Sequence, residues 1–282
     1  MKFKIVVDST FYLSAEEYKK YDIKCASLNV IDGDKTYKEL EIENQFIYDS
    51  LAAGHRLTTS QPSPAEFLEL YEQCIEEGAD LVFVLTLSKP LSGTYQSAEI
   101  ARKMLDQPEK IHLFQSIMAA MGNEMLTLEL VKMIEAGASK EDIITRIDAL
   151  INTSHVNFTI ENLIHLMRSG RLSKAKAMIG TVLRVKPILE MDETGKLEIF
   201  GSARTHKKVM EMILENIRQT TEGAKKIIVR IMSKNSLDNA RVLEQLIKDQ
   251  FKNAEITFNE YVGPVFSLHL GTNAYGLSWC SE

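Results

Sequence analysis

Two hydroxyl-rich stretches and one histidine are the residues of this chain best suited to chemistry. Ser92, Gly93 and Thr94 close the turn Ser88–Thr94, which lies between an apolar run starting at Asp80 (DLVFVLTLS) and a helix-like segment starting at Tyr95 (YQSAEIARKML). A turn from the carboxyl end of a parallel strand into a helix N-terminus is where open α/β sheets bind ligands. The unpaired N–H groups there favour an anion. Ser92 and Thr94 add hydroxyl donors, and Gly93 would let a ligand approach the backbone. This turn reads as half of an anion-binding headgroup site; an ordinary serine N-cap would give the same pattern, and the turn by itself leaves both open. Thr58, Thr59, Ser60 and Gln61 crowd further polar groups into one stretch ahead of Ser63-Pro64, and alone they read as a polar loop. His269, in the glycine-bounded segment Gly263–Gly271, reads on the same footing as a structural histidine.

A serine nucleophile needs a general base in reach and a third group to orient that base. Ser92 with His269 would make an acyl hydrolase or transferase, yet no local pattern demands it. The chain has no GxxxxGK[ST] loop, no GxGxxG after the first strand, no HExxH and no GxSxG elbow. Its acidic pairs (Glu16-Glu17, Glu76-Glu77, Glu141-Asp142) fall on polar helix faces. With no base, metal site or cofactor loop in evidence, binding is the better expectation than catalysis.

The 282 residues, 45% apolar and 26% charged, suit one large or two medium globular domains. A net charge of −6 argues against nucleic acid as a partner. Cys25, Cys74 and Cys280 are too few and scattered for a disulfide framework or a zinc site and point to a reducing compartment. No signal peptide and no membrane-spanning run is visible. A cytoplasmic protein is expected, with any membrane contact transient.

These residues need a scaffold, and the pattern supplies one. Strands are expected at Phe3–Asp8, Lys24–Ile31, Asp80–Ser88 and Lys110–Ser116. Helices are expected after Ser14, over Glu43–Gly54, after Ser63 with Glu66 completing a capping box, over Tyr95–Leu105, over an amphipathic Ala119–Gly137, and after Ser139. That alternation predicts a parallel sheet with flanking helices. Beyond Asn152 come a strand near Phe158, two helices broken at Ser169-Gly170, a hairpin turning at Asp192, and further helices and strands to the end. The expected class is α/β in two parts: a mainly parallel N-terminal domain over residues 1–153 and an α/β or α+β domain over 154–282.

Three separated stretches together resemble the DegV family: TTSQPSP (Thr58–Pro64), LSGTYQSA (Leu91–Ala98) and FTIENLIHLMRSGRLS (Phe158–Ser173). Asp8-Ser9, SARTHKK (Ser202–Lys208) and GPVFSLHLG (Gly263–Gly271) add to the likeness, in the family's order and across essentially the whole chain. The sequence departs from the family pattern at Gln115, where Asp is usual, at His206, where Arg is usual, and at Thr272-Asn273 after His269.

The resemblance implies a carrier without catalysis or a cofactor of its own. It would hold a long-chain fatty acid between two domains and present the carboxylate to a separate fatty acid kinase, feeding phospholipid synthesis. A lipid-sensing module without a kinase would share that pocket. By position, the resemblance assigns Thr59, Ser60, Ser92, Gly93 and His269 to the carboxylate, Arg171 to the pocket mouth and Arg204 to the kinase face. Neutral hydroxyls suit a buried carboxylate, because they restore lost hydration without burying a permanent charge. A sixteen-carbon tail would gain on the order of 10 kcal/mol from burial before entropy costs. Ile160, Leu163, Leu166, Met167, Met178, Leu183, Ile188, Leu189 and Phe266 are the expected tail-lining residues, with Met suited to a bending chain.

Overall fold

A computed structural model describes residues 1–172 and 185–282. The expected α/β class is what the chain adopts: a parallel sheet flanked by helices, joined to a second sheet domain. In the first sheet β1 (Phe3–Asp8) lies between β2 (Ile23–Ala26) and β6 (Leu81–Val84), with β7 (Ile111–Leu113) outside β6, and every pairing is parallel. All four residues of β6 are buried, as expected where helices cover both faces.

The expected strand over Lys24–Ile31 is broken in two. β2 ends at Ala26, and β3 (Asn29–Asp32) enters a separate antiparallel sheet between β4 (Lys35–Lys38) and β5 (Leu57–Ser60). At the break, side chains take over from the ladder: Ser27 N–H donates to Glu66 Oε1 at 2.9 Å and Leu28 N–H to Ser9 Oγ at 3.0 Å. Glu66 is thereby drawn away from the capping box expected of it, although Ser63 Oγ still accepts from Glu66 N–H at 3.2 Å. The stretch read as a polar loop is β5, an edge strand of this small sheet.

Helices α1 (Ala15–Lys20), α2 (Asn44–Ala52), α3 (Pro64–Glu76) and α4 (Thr94–Met104) start close to where they are expected, α1 and α3 under their serine caps and α2 and α4 with no side-chain cap. Helix α5 (Met121–Glu135) departs from the amphipathic expectation: ten of its residues are buried, on all sides. The reason is its position between two sheets. On one side it meets the core of the parallel sheet; on the other it packs on β11 (Ile227–Lys234) and β13 (Ala274–Ser281). A Cβ on Gly122 would meet Ser278 Oγ at 2.9 Å, so only glycine lets this helix lie so near β13. Helix α6 (Lys140–Asn152) joins the same layer through Ile143, Ile147 and Leu150.

The second sheet has six strands in the order β10-β9-β8-β13-β11-β12, where β8 is His155–Ile160, β9 Lys186–Met191, β10 Leu197–Ala203 and β12 Ala254–Asn259. Only β11 and β12 run parallel, joined through α9 (Leu237–Gln250). One face carries α8 (His206–Thr220) and α9 over a core that includes Ile188, Val229 and Trp279. The other face turns toward the first sheet, α7 (Ile164–Arg168) and α10 (Pro264–Leu270). As expected, α7 stops before Ser169, and Gly170 takes the left-handed conformation (φ 76°) that ends it.

Candidate functional site

The strand-end loops of the parallel sheet are locked to one another by buried polar groups. Asp8 Oδ2 accepts from Leu87 N–H at 2.7 Å, tying the end of β1 to the segment after β6. Asn123 Nδ2 donates to Met118 O at 3.0 Å and to Thr86 O at 3.3 Å, tying in the segment after β7. The Asp8-Ser9-Thr10 triplet is therefore a buried brace. Burial pushes the Asp8 carboxyl up to about 6, against the hydrogen bonds that Thr10 and Leu87 donate to it.

Helix α10 is held to the N-terminal half by Glu39. That carboxylate accepts from Val265 N–H at 2.9 Å and from Tyr12 OH at 3.1 Å, and Ser9 Oγ also donates to it. Phe266 N–H donates to Tyr12 OH at 3.2 Å, and Tyr12 and Phe266 pack edge-to-face. Asn44 adds a bond from Nδ2 to Val262 O and accepts one from Ser267 Oγ. The helix bearing His269 is thus fixed to Tyr12, Glu39 and α2 of the N-terminal half.

Between these two halves lies a cavity with about 860 Å3 of atom-free space, partly open to solvent. Its polar lining is Thr59, Ser60, Gln61, Ser92, Arg171 and His269. The rest is apolar: leucines and alanines from the strand-end loops, Met121 of α5, and Val156, Phe158, Met191, Leu197 and Met232 from one face of the six-stranded sheet. Ala120 on this wall holds φ 45°, a conformation costly for a residue with a Cβ. A concave, mostly apolar space with a few convergent polar groups is the general form of a small-molecule site.

At the polar end Thr59 Oγ1 and His269 Nε2 are 3.0 Å apart, and Ser92 Oγ and Thr94 Oγ1 are 2.9 Å apart. Asn29 Nδ2 donates to Ser60 Oγ at 3.3 Å. Arg171 is steered by backbone carbonyls, with Nη1 to Ser169 O at 2.6 Å and Nε to Leu91 O at 3.3 Å. Burial pushes His269 down to about 4, with the positive charge of Arg171 and His165 adding to it, so the ring is neutral near pH 7. If Nε2–H donates to Thr59, the threonine hydroxyl proton is free to point at a ligand. His269 should then show a neutral Nε2–H tautomer by nitrogen-15 NMR from pH 8 to 5; a midpoint near 6.5 would refute this. The folded state disfavours protonated His269, so its contribution to stability is complete above about pH 6.5 and is lost as pH falls toward about 4.

The structure brings Thr59, Ser60, Ser92, Arg171 and His269 together around one cavity. Gly93 is not on its wall: a Cβ there would meet Gln61 Nε2 at 2.9 Å, so the glycine makes room for the Gln61 side chain. Of the expected tail-lining residues, Leu166 and Phe266 reach the wall. Ile160, Leu163 and Leu189 are buried in the cluster packed around the cavity, and Met167 packs against that cluster. Ile188 faces the other way, into the core under α8, because successive strand residues point to opposite faces. Met178 and Leu183 lie outside the described residues. Arg204 is exposed between β10 and α8 and does not line the cavity. The Ser92–His269 pairing of a hydrolase or transferase is not made: each group bonds a threonine, and His269 Nδ1 has no partner among the described residues. Gln61 lines the cavity with the rest of its polar stretch, whereas Met121, Val156, Phe158, Met191, Leu197 and Met232 were not expected there; alternation along β8 was the one local signal for Val156 and Phe158.

A family model described as "Uncharacterised protein, DegV family" matches residues 2–282. The chain belongs to the DegV family. A DegV domain-containing protein of Halalkalibacterium halodurans is 32% identical over 283 residues, covering 100% of this chain and 99% of that protein. A DegV family protein from Thermus thermophilus, solved as a case of fatty acid binding, is 31% identical with a TM-score of 0.90, covering 100% of both chains. A stearic acid-binding protein from Eubacterium ventriosum is 25% identical with a TM-score of 0.87, covering 99% of this chain and 98% of that one. Fatty acids are thus what these two solved neighbours bind. No helix among the described residues is long and apolar enough to cross a membrane.

Proposed function

We propose that this chain binds a long-chain fatty acid in the cavity between its two sheets and presents the carboxylate to a separate fatty acid kinase for acyl-phosphate formation. The observation that carries this reading is the division of one cavity into a polar end and an apolar remainder. Thr59, Ser60 and Ser92 donate to the carboxylate, His269 orients Thr59, and Arg171 stands at the mouth. Residues 1–153 supply the loops around the headgroup, and residues 154–282 supply most of the tail wall together with His269. The protein works as a cytoplasmic carrier with no reaction or cofactor of its own. The fatty acid-binding neighbours in the family support the ligand class.

Native mass spectrometry of the purified protein, followed by stearate titration of the delipidated form, tests the proposal. A co-purifying fatty acid and saturable binding at one site are expected; an empty protein that also fails to take up stearate would end it. The kinase step has its own test. Arg204 is exposed and lies away from the cavity. Arg204→Ala should leave stearate affinity unchanged and slow acyl-phosphate formation by an added fatty acid kinase. Unchanged coupling would remove Arg204 from the partner surface.

A further inference from the structure

Beside the lipid cavity, and sharing Thr59, Arg171 and His269 with it, runs a second groove with about 1330 Å3 of atom-free space, partly open to solvent. It passes over the end of α2, β5 and the C-terminal end of α7. Arg56, Arg168 and Arg171 line it with His55 and His165, and no carboxylate does. In a chain with net charge −6 this is a local reversal of sign.

The arginines are also chemically idle. Elsewhere Arg102, Arg146, Arg218, Arg230 and Arg241 each hold a carboxylate. Among the described residues Arg56 and Arg168 hold none, and residues 173–184 contain no acid that could serve. Of the basic groups here only His55 has a carboxylate partner among the described residues, Asp32 at 2.7 Å. Arg171 spends Nη1 and Nε on carbonyls and has no bond from Nη2 among the described residues.

We propose that this groove is a second anion site, selective for a phosphate group and contiguous with the polar end of the lipid cavity. Guanidinium forks match phosphate oxygens in pairs, whereas the neutral hydroxyls next door suit a single carboxylate. The site itself stands on the arginines; only its contiguity with a lipid headgroup rests on the proposed fatty acid function. An occupant could be a free phosphate ion or a phosphate carried on an alkyl chain whose tail fills the cavity.

Calorimetry at constant ionic strength with inorganic phosphate, dodecyl phosphate and dodecanoate, on the wild type and on Arg56→Gln/Arg168→Gln, tests the assignment. The double variant should lose about tenfold or more in affinity for the phosphate ligands, from at least one charged hydrogen bond removed, and keep its dodecanoate affinity. Tighter binding of dodecyl phosphate than of inorganic phosphate would identify a lipid-borne group, and equal binding a free ion; either supports the site. No phosphate binding to the wild type, or equal binding to the variant, overturns it. Failure of dodecanoate to bind the wild type would instead strike the fatty acid reading, leaving the inorganic phosphate arm valid. Should the variant not fold, the arginine Nε–H resonances of the wild type decide: saturable shifts with phosphate support the site, and their absence refutes it.

Discussion

Arg230→Ala should destabilise the protein by about 3–5 kcal/mol, the usual cost of stranding one member of a buried ion pair. Arg230 lies on β11 and Glu124 on α5, and both are buried. Arg230 Nε donates to Glu124 Oε2 at 2.9 Å, and Nη2 donates to Oε1. Asn259 Nδ2 donates to Glu124 Oε1 at 2.9 Å and to Tyr12 O at 3.0 Å, so α5, β11 and β12 meet at one carboxylate and Asn259 ties them to the segment after β1. Burial already pushes the Glu124 acid up, against the pull of Arg230. Without the guanidinium the carboxyl would take a proton or unfold its surroundings. Replacing both partners by apolar residues, as in Glu124→Leu/Arg230→Met, should recover most of the loss, because the pair's attraction chiefly offsets its own desolvation. Urea unfolding of the wild type and the two variants measures this; a loss below about 1 kcal/mol in Arg230→Ala would mean that water reaches the pair.

Thr59→Ala combined with Ser92→Ala should weaken fatty acid binding by about 2–4 kcal/mol, at one to two kcal/mol for each hydrogen bond to a charged group. That is roughly thirty- to several-hundred-fold in Kd. The two hydroxyls come from different elements and bond different partners, His269 and Thr94. Their losses should therefore be close to additive, save for the His269 N–H that Thr59→Ala also strands. Methyl stearate, which has no carboxylate, should bind wild type and double variant alike. An unchanged stearate Kd would move the headgroup away from these residues, with the tail left in place.

What the sequence made legible was local. Ser14, Ser63 and Ser139 cap their helices where their spacing says they should, because a cap is settled within one turn of chain. The parallel sheet followed from the alternation of apolar runs and helices. The break at Ser27–Leu28 was hidden, since Glu66 and Ser9, which satisfy the freed N–H groups, are distant in sequence. So was the all-round burial of α5, which depends on a second sheet arriving from the other half of the chain.

The site divides the same way. Thr59 and His269 carried weight only through the family resemblance, since taken singly they looked like a loop and a structural histidine; the Ser92 turn suggested an anion site by itself but fitted a helix cap as well. The cavity wall was the least legible part. Met191 and Met232 reach it from β9 and β11, and which face each presents depends on strand register rather than on residue type. Ile188 and Leu189 are equally apolar neighbours, yet one backs onto α8 and the other onto the cavity side.

The placement of β13 has a consequence for biosynthesis. This strand, residues 274–281, is inserted between β8 and β11, whose pairings to it are both antiparallel. A nascent chain that has already made β8 and β11 cannot join them, and its half-built sheet must wait with a central slot unfilled. The sheet that carries Val156, Phe158 and Met232 of the cavity wall is therefore complete only when these residues have left the ribosome. The cavity can take a ligand only after that point, and a chain stalled before Ala274 would expose apolar strand edges to the quality-control machinery.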